Sequence, residues 1–235
     1  METHIKISSQ AHGGVPFSLK AEKKGNAAEV RIIGPIGFET NSEDFRREID
    51  ALKADGVNHV HLYINSPGGF CFDAAEIVNI LSGFKGNITG EGGALVASAA
   101  TYIALHCKTF TTPENGLFMI HKPVLSVEGT EAEIESKLAM LRKIQAQYYD
   151  AYKALTRNAA EFDTKWNSGD YWMTAQEAKE AGFITGITKR IGIDNASASM
   201  IAACGYPVAR LSGLQTQLIA LLELRNDATD SDIID

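Results

Sequence analysis

Four short runs of the sequence hold groups that together could act on a carbonyl. Ile64-Asn-Ser-Pro-Gly-Gly69 ends an apolar stretch on two adjacent glycines, whose backbone N–H groups are uncrowded and suited to an oxyanion. Leu95-Val-Ala-Ser-Ala-Ala100 sets Ser98 behind Gly92-Gly93 and ahead of small residues. A helix start there favours developing negative charge, and the Ala99 N–H is a second potential oxyanion donor. Phe118-Met-Ile-His121 ends an apolar stretch on a histidine, and Asp170 precedes Tyr-Trp-Met-Thr-Ala-Gln-Glu-Ala178. Each run alone reads first as something plainer: a strand-ending turn, a packed serine, a core histidine, a helix-flanking acid. Together, a serine, a histidine and an aspartate are the parts of a nucleophile, a general base and an orienting acid.

The elements that must position them alternate along the chain. Residues 1–28 read as a loose lead-in, with turn material at His12-Gly-Gly and Lys23-Lys-Gly-Asn. Ala28 to Ile33 reads as a strand. Asn41 or Ser42 caps a helix to Ala54, with Phe45, Ile49 and Leu52 at helical spacing. Asn58 to Ile64 alternates, with Val60, Leu62 and Ile64 on one face. A helix over 72–83 follows, then a short strand, Asn87 to Glu91, broken by Gly92-Gly93. An apolar helix is expected over Ala97 to His106, strands at Thr109 to Thr111 and Leu117 to Ile120, and an extended piece over Val124 to Val127. Thr130 and Glu133 make a capping box for a long helix to about Leu155. Its apolar stripe is Ile134, Leu138, Leu141, Ile144, Tyr148, Tyr152 and Leu155. Ala175 to Ala181 is a further helix, stopped by Gly182. From Asp194 the composition shifts to Ala, Ser and Gly, with one more amphipathic segment, Leu211 to Leu224, and an acidic end. Strand–helix alternation argues an α/β fold.

The motifs, in order, resemble the Clp protease proteolytic subunit family: INSPGG, a serine in A-S-A-A, MIHKP, and D-Y-W-M-T-A-x-E-A followed by G-F-I. The look is nearest to the phage head-maturation branch, which carries A-S-A-A where housekeeping members have A-S-M. The resemblance spans about residues 29–190. It implies a ClpP/crotonase-like spiral of ββα units with a projecting handle helix, a serine peptidase domain over 29–193, and a C-terminal extension over 194–235. It implies Ser98 as nucleophile, His121 as base, Asp170 as orienter, and Gly69 and Ala99 as oxyanion donors. Substrate is expected as an added strand between residues 69–72 and 123–127, against Gly68, Phe70, Cys71, Pro123, Val124 and Leu125. It also implies a homo-oligomeric ring, heptameric or stacked, with helix 131–155 at subunit contacts, polypeptide substrates, and a Clp-type ATPase as the partner to test for. Where the family usually has glycine four residues before the serine, this chain has Ala94.

Composition bounds the alternatives. The 235 residues carry 22 Lys and Arg against 29 Asp and Glu, a net charge of −7, so no global attraction to nucleic acid or an anionic membrane is expected. The 45% apolar and 22% charged shares are those of a globular protein. Cys71, Cys107 and Cys204 are distant and odd in number, which argues against a disulfide framework or zinc cage and for cytoplasmic surroundings. No secretory or membrane-spanning segment is read, and the expectation is no metal and no cofactor. His59 and His61 share a strand face, without a third ligand, and read as solvated or hydrogen-bonded. Gly90-Glu-Gly-Gly lacks the third glycine of a dinucleotide fingerprint. Three rival readings are a crotonase-type acyl-CoA enzyme, a Ser–Lys peptidase using Lys122, and a non-catalytic ring or scaffold subunit.

Overall fold

Val60, Leu62 and Ile64 point to one side of a strand, and their complete burial makes that strand the centre of the molecule. The computed structural model describes residues 18–38 and 40–189. Its sheet runs β1 (Ser18–Lys24), β2 (Ala27–Ile33), β3 (His59–Ser66), β4 (Asn87–Ala97), β5 (Thr109–Pro113) and β8 (Gly186–Thr188) in that spatial order. Two further strands leave this path: β6 (Leu117–Ile120) pairs with β4, and β7 (Tyr171–Thr174) pairs with β6. Pairing is parallel except for β1 with β2 and β6 with β7. The helices are α1 (Ser42–Ala54), α2 (Cys71–Ser82), α3 (Ala99–Ala104), α4 (Glu131–Lys153), α5 (Ala159–Ser168) and α6 (Ala175–Ala181). The architecture is the α/β one expected. None of the described helices is long and apolar enough to cross a membrane.

Capping chemistry sets the helix ends where the sequence placed them. The Asn41 side chain accepts from the Asp44 N–H, and Thr130 and Glu133 form the expected capping box on α4. The α6 helix ends on Gly182 in the left-handed region.

The sequence reading places no element at α5, β7 or β8, and other expected segments differ in extent. The lead-in over 1–28 is too long, because residues 18–24 form β1. Gly25-Asn26 is the two-residue turn of a β1–β2 hairpin, with Lys24 opposite Ala27. The segment over 194–235 lies outside the described residues. The strand at Asn87 does not stop at Gly92-Gly93 but continues to Ala97. Gly92 leaves room for Val96 and Phe110, and Gly93 leaves room for side chains of β3. A Cβ at Gly93 would lie 2.7 Å from the Asn65 side chain and from the Tyr63 hydroxyl. The β3–β4 ladder shifts register there, between Ile64 and Ser66, and the Leu95 N–H donates instead to Asn65 Oδ1 at 3.1 Å. The helix expected from Ala97 is accordingly shorter, with Ala97 the last strand residue.

The long helix is divided. Residues 131–140 are exposed throughout, including Ile134, Leu138 and Met140, so this half projects as expected of a handle. The other half is part of the core. Tyr148 and Tyr152 are buried, Tyr148 stacks on Tyr102 at 4.2 Å, and Tyr152 packs on Phe162, Trp166 and Phe183.

Candidate active site

Three adjacent strands end together and bring the predicted triad into one place. Ala97 of β4 is in register with Met119 of β6, and the next residue, Ser98, donates its N–H to the Met119 carbonyl at 2.8 Å. Ile120 of β6 opposes Tyr171 of β7, so His121 and Asp170 occupy the next rung of the same antiparallel ladder. Backbone pairing therefore sets the spacing of all three side chains.

Ser98 Oγ lies 2.6 Å from His121 Nε2. His121 Nδ1 lies 3.5 Å from Asp170 Oδ1, a charge-pair distance rather than a close hydrogen bond. The histidine side chain is 22% exposed and the aspartate 55%. An acceptor carboxylate on the Nδ1 side favours the tautomer with its proton on Nδ1, leaving the Nε2 lone pair for the serine proton.

Ser98 has φ 55 and ψ −127, and no other non-glycine residue among those described has positive φ. It sits where β4 turns sharply into α3. A non-glycine residue held there costs about 1–3 kcal/mol, which the surrounding structure must impose. The result is a side chain lifted out of the strand end towards His121.

The Ser66-Pro-Gly-Gly turn packs directly on this elbow. Gly68 has φ +94, and a Cβ on it would lie 2.6 Å from Ser98 Cβ and 2.9 Å from the Ala99 nitrogen. Gly69, at φ +152, is pressed on Ile36, whose carbonyl oxygen would be 2.0 Å from an added Cβ. Hydrogen bonds from Ile36 N to the Gly68 carbonyl (2.9 Å) and from Phe70 N to the Ile36 carbonyl (3.0 Å) pin the turn. Neither the Gly69 nor the Ala99 N–H donates in the turn, loop and cap bonding of the described residues. Gly68 thus joins the turn to the serine elbow, with the Gly69 and Ala99 N–H groups following Gly68 and Ser98 in the chain. Ala94 is exposed, so its methyl group is accommodated without crowding.

The expected substrate residues divide by exposure. Phe70 is exposed and packs on Phe38 with ring centroids 5.0 Å apart. Val124 and Leu125 are exposed on a segment outside any strand or helix. Gly68 and Pro123 are buried, and the Pro123 carbonyl accepts from Gln145 Nε2 of α4 at 2.8 Å. No turn, loop or cap backbone bond of the described residues involves Val124, Leu125 or Ser126. Cys71 opens α2, half-buried against the core, and burial raises its thiol pKa above the ordinary value.

Other candidates are engaged elsewhere. Lys122 Nζ donates to Asn167 Oδ1 at 2.7 Å, on α5, which directs it away from the serine. His59 Nε2 and His61 Nδ1 each lie 2.9 Å from Thr89 Oγ1, the hydrogen-bonded arrangement expected of them. No group of three metal-ligating side chains occurs among the described residues.

Two residues next to the elbow escaped the sequence reading. Thr101 Oγ1 lies 2.6 Å from the Ser98 carbonyl oxygen and 2.7 Å from Tyr152 Oη. Thr101 passes in sequence as one more small helical residue, and Tyr152 as one rung of the handle stripe. No local signal joins positions 51 residues apart.

A family model described as Clp protease matches residues 26–191. The chain is similar to the ATP-dependent Clp protease proteolytic subunit 2 of Treponema denticola, 27% identical over 167 residues that cover 70% of this chain and 83% of the relative. It is similar to subunit 3 from Rhizobium johnstonii, 27% identical over 174 residues, covering 72% and 89%. The proteolytic subunit of Bacteroides fragilis is 29% identical over 195 residues, covering 76% and 92%.

Proposed function

Because the chain belongs to the Clp protease family, we propose that it is a serine endopeptidase working through Ser98, His121 and Asp170. The 2.6 Å contact between Ser98 Oγ and His121 Nε2, at a strained strand-to-helix elbow, carries this reading. Neutral His121 takes the hydroxyl proton as Ser98 attacks a peptide carbonyl. The oxyanion that develops is met by the Gly69 and Ala99 N–H groups. The imidazolium, facing Asp170, then protonates the leaving amine. Water then attacks the acyl carbonyl as His121 takes its proton, and the imidazolium returns a proton to Ser98 Oγ as the ester bond breaks and the acyl group leaves as a carboxylic acid.

The exposed apolar half of α4 supports assembly into a homo-oligomeric ring, since a bare stripe of that length is a liability on a monomer. Docking of a Clp-type ATPase would make proteolysis ATP-dependent through that partner, and a fluorescent unfolded protein degraded only with ATPase and ATP tests it. The Ala97-Ser-Ala-Ala100 run favours a role in phage head maturation, which neighbouring genes for a portal and a major capsid protein would support.

The decisive experiment is active-site labelling. A fluorophosphonate probe labels the wild type, fails on Ser98→Ala, and labels His121→Ala poorly. Equal labelling of wild type and Ser98→Ala overturns the assignment.

A further inference from the structure

The Ser98–Ala99 peptide is one rigid plane, so its carbonyl and its N–H point in opposite directions and turn together. Whatever fixes the Ser98 carbonyl also aims the Ala99 N–H. That carbonyl accepts two hydrogen bonds, from the Thr101 N–H at 2.9 Å and from the Thr101 hydroxyl at 2.6 Å.

The direction of the chain behind it follows from proton counting. A carbonyl oxygen only accepts, so Thr101 spends its single hydroxyl proton on Ser98. Tyr152 Oη, 2.7 Å away, must then be the donor to Thr101 Oγ1. Both side chains are 0% exposed, so no water substitutes for either bond. Burial also raises the phenol pKa well above its ordinary value, which keeps the proton on Tyr152.

We propose that Tyr152 and Thr101 are positioning residues that clamp the Ser98–Ala99 peptide and hold the Ala99 N–H on the oxyanion. This inference rests on the peptidase reading. A threonine hydroxyl bonded to a carbonyl three residues back is by itself an ordinary local pattern. What sets this one apart is its place and its second partner. The carbonyl belongs to the one described non-glycine residue with positive φ, and the threonine rotor is locked by a tyrosine from the distant α4 helix. Hydrogen bonding at the carbonyl also polarises the amide and strengthens its N–H as a donor.

The clamp acts on the tetrahedral state and not on ground-state binding, which separates it from a structural role. Removing an oxyanion donor outright lowers kcat by about 10²–10³-fold, and loosening one lowers it less. Tyr152→Phe keeps the ring in the core and frees the threonine rotor, so kcat falls roughly 3- to 10-fold. Thr101→Val removes the side-chain donor, and kcat falls roughly 10- to 100-fold. Thr101→Ser restores most of what valine loses. In both damaged variants KM and the acid limb of the pH profile stay put, while affinity for a peptide boronate falls in step with kcat.

The experiment is steady-state peptide hydrolysis, boronate titration and thermal unfolding on the full chain. Tyr152→Phe and Thr101→Val that lose thermal stability but keep wild-type kcat and boronate affinity overturn the clamp and leave the peptidase reading intact. A wild type that neither hydrolyses peptides nor reacts with the fluorophosphonate overturns the peptidase reading, and the clamp with it.

Discussion

Gly68→Ala is the substitution in which the cost is best worked from geometry. The new methyl would lie 2.6 Å from Ser98 Cβ, 2.7 Å from the Ala97 carbonyl and 2.9 Å from the Ala99 nitrogen. None of these atoms is the end of a flexible side chain, so the turn and the elbow must separate as units. Restoring an ordinary 3.4 Å contact with Ser98 Cβ needs a movement of about 0.8 Å. Displacing reacting groups by about 1 Å costs on the order of 10²-fold in rate. The φ of +94 adds strain for any residue with a Cβ, so the combined loss of stability is roughly 2–4 kcal/mol. The expected result is a kcat/KM about 10²-fold below wild type, with slow fluorophosphonate labelling and a lowered Tm. Gly56→Ala is the control: its φ is +74, yet an added Cβ meets nothing within 4 Å. It costs about 1–2 kcal/mol of stability and leaves kcat/KM unchanged. Measuring peptide hydrolysis and Tm on both variants isolates packing from backbone strain. If Gly68→Ala hydrolysed peptide as fast as Gly56→Ala, the packing of the turn on the serine elbow would be refuted.

Asp170→Asn should lower kcat/KM while leaving Ser98 in place, but by far less than the roughly 10⁴-fold loss of a closely bonded triad, because the carboxylate is 3.5 Å from Nδ1 and half exposed. Unchanged kinetics would mean another group orients His121. Wild-type kcat/KM should fall on acidification, since an imidazolium accepts no proton from Ser98; a rate that held steady into acid would argue against His121 as base. Burial pushes the Cys107 thiol up to about 12, so its thiolate fraction grows tenfold per pH unit only towards that value. Iodoacetamide near neutrality should spare Cys107 in the folded chain and modify it in urea, as peptide mass spectrometry would report. If α4 makes the proposed ring contacts, Leu138→Glu on its projecting half should lower the native mass by light scattering and peptide hydrolysis together. Tyr148→Glu should unfold the domain instead, because Tyr148 lies within its own core.

Helices announced by a cap and a spaced apolar face were legible in the sequence: Asn41 opens α1, Thr130 and Glu133 open α4, and Gly182 closes α6. Elements lacking local contrast were not. Lys20, Glu22, Lys23 and Lys24 mask β1, which exists through its hairpin with β2. The α5 helix shows only Phe162 and Trp166 as buried apolar residues, too few for a stripe. The β7 strand borrows its pairing from β6, more than 50 residues earlier in the chain, and reads alone as the lead-in to α6. At the site, the glycine turn, the serine, the histidine and the aspartate were visible because each sits in its own motif. Thr101 and Tyr152 were not, because their meaning lies in a contact between helices. The stripe on α4 was visible too, but periodicity does not reveal that it faces solvent up to Met140 and the core from Tyr148.

The ladder that seats His121 opposite Asp170 also sets a timetable. Ser98 and His121 are near neighbours in the chain, whereas β7 reaches β6 only after the whole of α4 and α5 has been made and folded back. Closing so long a loop is an entropic cost met late in folding. A polypeptide still emerging from the ribosome, or halted at a collapsed intermediate, therefore carries a serine and an imidazole without the acid. The three groups of the proposed triad come together only when β7 pairs with β6. Backbone paired in a sheet, as in β1 to β6, is no longer an extended substrate.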